Sequence, residues 1–293
     1  MSWRTVVVTR PSKLDYSMGY LVVRNVESTV KIHLSEIAVL MVENTSSSVT
    51  CALLCKLTEQ KIKVIFCDEK RNPNTELTPY YGSHDCSLKL KTQIAWEPVA
   101  CQYAWTVIVE QKIRNQAGFL KELGFPAFQK LTEYINELEF YDASNREGMA
   151  AKVYFNALFG KSFSRRLESP VNAALNYGYS LLLSCFNREV VCSGYVTQLG
   201  LFHDNMYNQY NLSCDLMEPF RIFADRCVYH MKPEKFEKDE KHSLVALLNE
   251  EITIDGREQK LLNAVRIYAK SVFRAIEEND MAQIKFPQTG YEL

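Results

Sequence analysis

The stretch Lys63-Val-Ile-Phe-Cys-Asp-Glu-Lys-Arg-Asn-Pro-Asn-Thr-Glu-Leu-Thr-Pro-Tyr-Tyr81 separates two parts of the sequence that have different hydrophobic periods. It begins with an apolar, β-branched run at 63–67, which predicts a strand. It continues as a polar segment with two prolines and two asparagines at 68–81, which predicts a linker. The sequence therefore predicts a small domain at 1–80 and a larger domain at 82–293.

The part before this stretch is rich in short β-strand patterns. Turn residues separate short β-branched and apolar runs, as in a small β-rich domain. A helical spacing of apolar residues at 48–57 predicts one helix among the strands. The predicted strands are Thr5–Thr9, Tyr20–Arg24, Thr29–His33, Ile37–Val42 and Lys63–Cys67.

The part after this stretch has the period of amphipathic helices. Asn145 is a suitable N-cap, Gly160 follows the same segment, and Pro170 suits a first helical turn. The predicted helices are 99–123, 128–138, 145–159, 170–187, one that begins near Leu212, and 257–278. The predicted fold class is therefore α+β, a small N-terminal β-rich domain followed by a larger all-α domain.

Composition excludes several classes of protein. Of 293 residues, 47% are hydrophobic and 24% charged, and the net charge of −1 means that nucleic-acid binding would need a local basic patch. The nine cysteines form no CxxC pair, so neither a zinc site nor a disulfide framework is predicted. The sequence shows no signal peptide and no apolar run long enough to span a membrane, so we predict a cytoplasmic protein.

The segment 199–225 carries the most unusual group of polar residues. His203 lies in an amide-rich loop, and Asp215 and Glu218 follow one helical turn apart. Oxygen ligands with one imidazole suit a divalent cation, which is the cofactor of many phosphate-cutting sites. An ordinary capped loop also explains His203, and an ion pair between Glu218 and Arg221 also explains the acid. Pro219 predicts an irregular helix beside Glu218.

Glu147 and two groups of basic residues are further candidates. Glu147 falls in the first turn of a predicted helix, where favourable interaction with the helix dipole is the simpler explanation. One basic group lies in a polar loop, where arginine side chains match phosphate oxygens. The other forms a stripe on the last helix, which predicts DNA binding, although a solvated helix face explains it about as well. These groups are Lys161, Arg165 and Arg166 in the loop, and Arg266, Lys270 and Arg274 on the helix.

Four segments together resemble a known family. They are Glu147-Gly-Met-Ala-Ala-Lys-Val-Tyr-Phe155, Asn172-Ala-Ala-Leu-Asn-Tyr-Gly-Tyr179, Gly200-Leu-Phe-His203 and Asp215-Leu-Met-Glu-Pro-Phe-Arg221. Their order and spacing resemble those of the CRISPR adaptation integrase, "Cas one", and most of all its type II branch.

The resemblance implies a metal-dependent endonuclease and integrase. It implies that Glu147, His203 and Glu218 are catalytic and bind Mg²⁺ or Mn²⁺, that Asp215 supports them, and that Arg221 and the basic loop lie near DNA. It further implies that the 3′-hydroxyl of a captured DNA fragment is joined to a CRISPR repeat by transesterification.

The resemblance also implies partners. These are double-stranded DNA, a second copy paired through the β-rich domain, and a small ferredoxin-like protein. Type II effector and accessory adaptation proteins are further candidates, and no membrane partner is expected.

Two alternatives fit the same residues. A structure-specific DNA-repair nuclease would use the same metal with water as the acceptor. A non-catalytic assembly subunit would keep the acids without metal chemistry. The sequence has no glycine-rich phosphate loop after a predicted strand, so a nucleotide-dependent enzyme is not predicted.

Overall fold

The computed structural model describes residues 4–80 and 82–290, and it confirms the predicted fold class: a β-rich N-terminal region followed by a mostly helical region. The strands are β1 (Arg4–Val8), β2 (Lys13–Ser17), β3 (Tyr20–Arg24), β4 (Thr29–His33), β5 (Ile37–Val42), β6 (Ser48–Val49), β7 (Lys63–Cys67), β8 (Pro73–Leu77), β9 (Glu251–Ile254), β10 (Arg257–Lys260) and β11 (Pro287–Gln288). The α-helices are α1 (Cys51–Glu59), α2 (Cys86–Ile94), α3 (Pro98–Glu122), α4 (Phe128–Asn136), α5 (Arg146–Phe159), α6 (Pro170–Cys192), α7 (Asn211–Met217), α8 (Arg221–Met231), α9 (Lys238–Ala246) and α10 (Leu261–Glu278).

The N-terminal region consists of two four-stranded sheets. One has the order β1-β5-β7-β8, in which β1, β5 and β7 are parallel, and the other has the order β4-β3-β2-β6. Every residue of β5 is buried, as expected for the central strand of a covered sheet. Leucines from both sheets and from α1, such as Leu14, Leu40 and Leu53, form their common core.

The predicted linker at 68–81 is wrong in part, because residues 73–77 form β8. This strand pairs antiparallel with β7 at the edge of its sheet. Pro73 is tolerated there because it is the first residue of an edge strand and need not donate a ladder hydrogen bond. Glu76 pairs with buried Lys63 and accepts a hydrogen bond from Ser184 on α6 at 3.1 Å. The segment is thereby tied to the helical region. Tyr81 lies outside the described residues.

Two predicted helices begin later than the sequence pattern suggests. Ser48 and Val49 belong to β6, because the Thr50 side chain caps α1 by accepting from the Leu53 N–H. Residues 257–260 belong to β10, because Asp255 and Gly256 both have positive φ and form a tight hairpin turn after β9. The helical region therefore also contains a small sheet, β10-β9-β11, which the sequence pattern did not indicate.

Helices α3 and α6 form the centre of the helical region. α3 packs against α4, α5 and α8, and α6 packs against α7 to α10. The predicted helices at 99–123, 128–138, 145–159 and 170–187 correspond to α3 to α6, although α6 extends to Cys192 and α4 ends at Asn136. Among residues 4–80 and 82–290, no helix combines the length and apolar character that a bilayer crossing requires.

Candidate active site

Helix α3 provides the frame on which the candidate site is built. Trp105, Lys112 and Asn115 are buried at spacings of seven and three residues, so they share one face of the helix. Burial of a lysine and an asparagine in a helix core requires partners for both groups. Those partners come from α5 and from the chain between α7 and α8.

A strained turn before α5 positions Glu147. Tyr141, Asp142 and Asn145 all have positive φ, at 59°, 52° and 53°. The buried Asp142 carboxylate accepts the N–H groups of Arg146 at 2.6 Å and Glu147 at 3.2 Å, and Asn145 caps the helix as predicted. Backbone strain of this kind persists only where surrounding contacts enforce it, and it is common next to functional groups. Here it fixes the position of Glu147 in the first turn of α5.

An interrupted helix positions Glu218. Helix α7 ends at Met217, a short 3-10 turn spans 218–220, and α8 begins at Arg221, as Pro219 predicted. The side-chain amide of Asn115 donates to the Pro219 carbonyl at 2.9 Å, which ties this turn to α3. The irregular backbone thus has a partner from the central helix, and Glu218 points into the buried interface.

Lys112 bridges the two acids. Its ammonium lies 2.5 Å from Oε2 of Glu218 and also contacts Oε1 of Glu147. Arg221 binds the other oxygen of Glu218, with Nε at 3.0 Å and Nη2 at 2.9 Å. Oε2 of Glu218 is fully buried and faces the Lys112 ammonium. We call Lys112, Glu147, Glu218 and Arg221 the buried charge cluster.

The electrostatics of the buried charge cluster depend on these pairs. Burial by itself would raise the pKa of the Glu218 carboxyl, but Arg221 and Lys112 lower it to about 2. Burial disfavours the charged form of Lys112, yet Glu147 and Glu218 keep the pKa of its ammonium above the usual value. Lys112, Glu218 and Arg221 are therefore charged at neutral pH. Together with the carboxylate of Glu147, their formal charges add to zero.

The loop that carries His203 is held by Asp215. The carboxylate of Asp215 is completely buried and accepts the backbone N–H groups of Leu201, Phe202 and His203 at 2.6, 3.0 and 3.2 Å. The same carboxylate lies 2.5 Å from Nδ1 of His203. A side chain at Gly200 would place its Cβ 2.3 Å from the His203 carbonyl oxygen, so only glycine fits this close approach.

The imidazole of His203 is oriented from both sides. Trp105 stacks on Phe202 with ring centroids 4.6 Å apart and meets His203 edge-on at 5.8 Å. The Asp215 hydrogen bond raises the pKa of His203, against the opposing effect of burial, and Glu218 and Glu147 raise it further. With Nδ1 held by Asp215, the described residues leave Nε2 as the nitrogen available to a ligand.

The structure brings the predicted metal ligands into one neighbourhood without joining all three. Glu147 and Glu218 share one cation, the Lys112 ammonium, while His203 is paired with Asp215. In the part of the chain that is described, no three His, Cys, Asp or Glu side chains converge closely enough to hold a metal ion. The donor types nevertheless fit Mg²⁺ or Mn²⁺, because two carboxylates already meet at one positive charge and both act electrostatically on the imidazole of His203.

Two predicted DNA-binding arginines lie against one aromatic ring. The guanidinium groups of Arg165 and Arg221 lie 5.3 and 4.5 Å from the ring of Tyr179, whose hydroxyl donates to buried Asp225. Arg165 also donates to Asn172 and Asn176 at 2.6 Å, which anchors its loop. Its loop neighbours Lys161 and Arg166 are exposed.

The predicted basic stripe on α10 has a different character. Arg266 is half-buried, donates to Asn263 and lies on the side of Glu189 of α6, whereas Lys270 and Arg274 are exposed. Arg274 pairs with Glu278 one turn later at 2.8 Å. We call Arg266, Lys270 and Arg274 the α10 stripe. Two of its three side chains are therefore open to solvent.

Sequence reasoning missed several residues of the site. Lys112, Asn115, Trp105 and Asp142 hold the candidate ligands but belong to none of the quoted motifs. A signal for Lys112 was present, because it falls four residues after Ile108 on the apolar side of α3, where a lysine needs a buried partner. Asp142 gave no such signal, because its role depends on a left-handed backbone.

The chain matches a known protein family over most of its length. The family model described as CRISPR associated protein Cas1 matches residues 6–254. The CRISPR-associated endonuclease Cas1 of Neisseria meningitidis serogroup C is 32% identical over 294 residues, which cover 98% of this chain and 97% of the relative.

Solved structures share the fold. A casposase bound to its integration product has a TM-score of 0.75 at 17% identity, over 95% of this chain and 91% of the casposase. A chain of a Cas6-RT-Cas1–Cas2 complex has a TM-score of 0.72 at 17% identity, and the match covers 96% of this chain but 36% of that longer one. The family model and the Neisseria relative together show that this chain belongs to the Cas1 family of CRISPR-associated proteins.

Proposed function

We propose that this protein is a metal-dependent DNA integrase that joins 3′-hydroxyl ends of short DNA fragments to a CRISPR repeat. The observation that carries the proposal is the meeting of Glu147 and Glu218 at one cation, beside a histidine whose Nε2 is oriented by Asp215. Family membership suggests the class of reaction, and this geometry supports it.

The proposed reaction is a transesterification. The oxygen of the attacking 3′-hydroxyl forms a new bond to phosphorus, the bond from phosphorus to the leaving 3′-oxygen breaks, and the proton of the attacking hydroxyl ends on the leaving oxygen. One phosphodiester replaces another, so no external energy source is required. Bound Mg²⁺ or Mn²⁺ would lower the pKa of the attacking hydroxyl and stabilise charge on the leaving oxygen.

The residues of the chain have distinct proposed roles. Glu147 and Glu218 provide hard oxygen ligands, and His203 provides a nitrogen ligand through Nε2. Asp215 positions the imidazole and the backbone of its loop. Arg221 keeps Glu218 ionised, since it binds the carboxylate oxygen that does not face Lys112.

DNA binding is proposed for the basic residues at the surface. Exposed Lys161 and Arg166 would contact phosphates, and Arg165 would hold their loop in place. The α10 stripe is proposed as a second contact with the phosphate backbone. Since the net charge of the chain is −1, such local patches must supply the attraction to DNA.

Partners are proposed on the same basis. The solved complex with a similar chain is a Cas6-RT-Cas1–Cas2 assembly, which supports complex formation with partner Cas proteins. We propose that one of these partners is a small ferredoxin-like protein. We also propose a homodimer formed through the β-rich N-terminal region, and type II effector or accessory adaptation proteins as further partners.

A strand-joining assay tests the proposal. Purified protein, its small partner, a labelled duplex with free 3′ ends and a repeat-containing plasmid are mixed with Mn²⁺. We expect His203→Ala and Glu147→Gln to reduce covalent transfer of label by at least about a hundredfold, since each removes a metal ligand. Glu122→Gln, an exposed acid on α3, is the matched control and should join strands at the wild-type rate. Unchanged transfer in both ligand variants would refute the assignment.

Hydrolysis is a second candidate activity. The Neisseria relative is named an endonuclease, which favours phosphodiester cleavage with water as the acceptor. We propose branched DNA as the substrate of this activity. The same assay separates the two activities, because hydrolysis releases fragments and leaves no donor label in the plasmid.

A further inference from the structure

Lys112 occupies the place that a cation shared by the two acids would take. Its ammonium contacts one oxygen of Glu147 and lies 2.5 Å from Oε2 of Glu218. The lysine is 7% exposed and Glu218 is 3% exposed, so water has little access to the contact between them. A buried ammonium between two carboxylates is held by their negative charges. Removal of either carboxylate would leave part of its positive charge uncompensated.

Charge balance makes Lys112 incompatible with a second cation at the same oxygens. Two carboxylates, one ammonium and one guanidinium make the buried charge cluster formally neutral. A divalent cation added to it would leave two uncompensated positive charges beside the buried side chains of Lys112 and Glu218, which is strongly unfavourable. Arg221 cannot leave easily, because it binds Glu218 through two nitrogens and lies on the Tyr179 ring. Lys112 is held by single contacts of a flexible side chain.

We propose that Lys112 is an internal competitor of the divalent metal: its ammonium holds Glu147 and Glu218 together when metal is absent, and it must leave them before they bind metal. This inference rests on the proposed function, because it takes Glu147 and Glu218 as metal ligands. It also accounts for the arrangement of the donors, in which two acids converge on Lys112 while His203 remains with Asp215.

Two substitutions of Lys112 have opposite expected effects. Lys112→Met keeps the approximate length of the side chain and removes the competing charge, so Mn²⁺ should bind at least about tenfold more tightly. Lys112→Arg keeps the charge and adds a planar fork that grips carboxylates with two nitrogens, so Mn²⁺ should bind about threefold or more weakly. Lys121→Met, an exposed lysine on the same helix, is the matched control and should leave the affinity unchanged.

The measurement is calorimetric titration of each full-length protein with MnCl₂ in the absence of DNA. Thermal denaturation with and without Mn²⁺ is the second readout. In chelator, the melting temperature of Lys112→Met should lie below that of the wild type, and Mn²⁺ should raise it by more than it raises that of the wild type. Equal or weaker Mn²⁺ binding by Lys112→Met would overturn the inference. If that variant does not fold, equal or tighter binding by Lys112→Arg overturns it instead.

Glu147→Ala, combined with each Lys112 variant, separates this inference from the proposed function. If Glu147→Ala abolishes Mn²⁺ binding but the Lys112 variants bind Mn²⁺ like the wild type, the metal site is supported and the competition by Lys112 is refuted. If binding does not depend on Glu147 in any background, the metal site itself fails and with it the proposed function.

Discussion

The buried charge cluster and the α10 stripe both consist of charged side chains on helices, yet they differ in what fixes them. In the cluster each charge is held by at least one opposite charge in a buried site, whereas Lys270 and Arg274 are open to solvent. Breaking a buried pair costs several kcal/mol, while exposed pairs contribute little. Charge in the cluster is therefore part of the fold, whereas Lys270 and Arg274 of the stripe carry their charge at the surface.

The largest expected effect follows from removal of the central acid. Glu218→Ala leaves buried Lys112 and half-buried Arg221 without their shared carboxylate, so we expect the free energy of unfolding to fall by about 3–5 kcal/mol. Urea denaturation at pH 7 measures this change. Glu278→Ala removes an acid from an exposed pair with Arg274 and is the matched control, for which we expect no measurable change. Equal effects of the two substitutions would show that burial does not distinguish the regions.

The next effect concerns a buried acid beside the cluster. Burial raises the pKa of Asp225 to about 6, although the hydrogen bond from Tyr179 opposes this. Between about pH 4 and 6 the folded protein therefore keeps a proton on Asp225 that the unfolded chain releases, so stability from this group falls as pH rises through that window. The free energy of unfolding changes by about 3 kcal/mol over this window, because the pKa of Asp225 is about two units higher in the folded protein than in the unfolded chain.

Asp225→Asn tests this pH dependence. The amide cannot ionise, so the difference in stability between variant and wild type should shift in favour of the variant as pH rises from about 4 to 6 and stay constant above that range. Denaturation of both proteins at closely spaced pH values measures the difference. Parallel pH profiles would mean that Asp225 is ionised in the folded protein well below about pH 6.

The fold was largely predictable because its signals are local. Five runs of β-branched and apolar residues gave strands within one residue of those observed, and Asn145 and Pro170 gave the starts of α5 and α6. Errors arose where tertiary pairing decides the structure. β8 contains Pro73, and β10 is polar, so each forms a strand only because a neighbouring strand supplies its hydrogen bonds.

The sequence predicted the proposed metal ligands of the candidate site but not the residues that hold those ligands in place. Glu147, His203 and Glu218 were reached through motifs, while the contacts that hold Glu147 and the Glu218 turn connect α3 with residues 35 and 104 positions away in the sequence. No local pattern encodes such a distance. Lys112 is the clearest case: its position on the apolar side of α3 indicates that it needs a buried partner, but only the fold shows that the partners are Glu147 and Glu218.

The smallest expected effect on stability belongs to the α10 stripe, and it is the one that decides whether the stripe has a partner. Replacement of Arg266, Lys270 and Arg274 by alanine should lower the unfolding midpoint only slightly, and only through half-buried Arg266, because solvent already surrounds Lys270 and Arg274. DNA affinity should fall, and the slope of log K against log salt should decrease by about one unit for each phosphate that the variant no longer neutralises. Alanine at the exposed lysines Lys121, Lys130 and Lys235 is the matched triple control. If the two triple variants bind DNA with the same affinity and salt slope, the stripe is a solvated face, and Lys161 and Arg166 remain as the proposed DNA contacts.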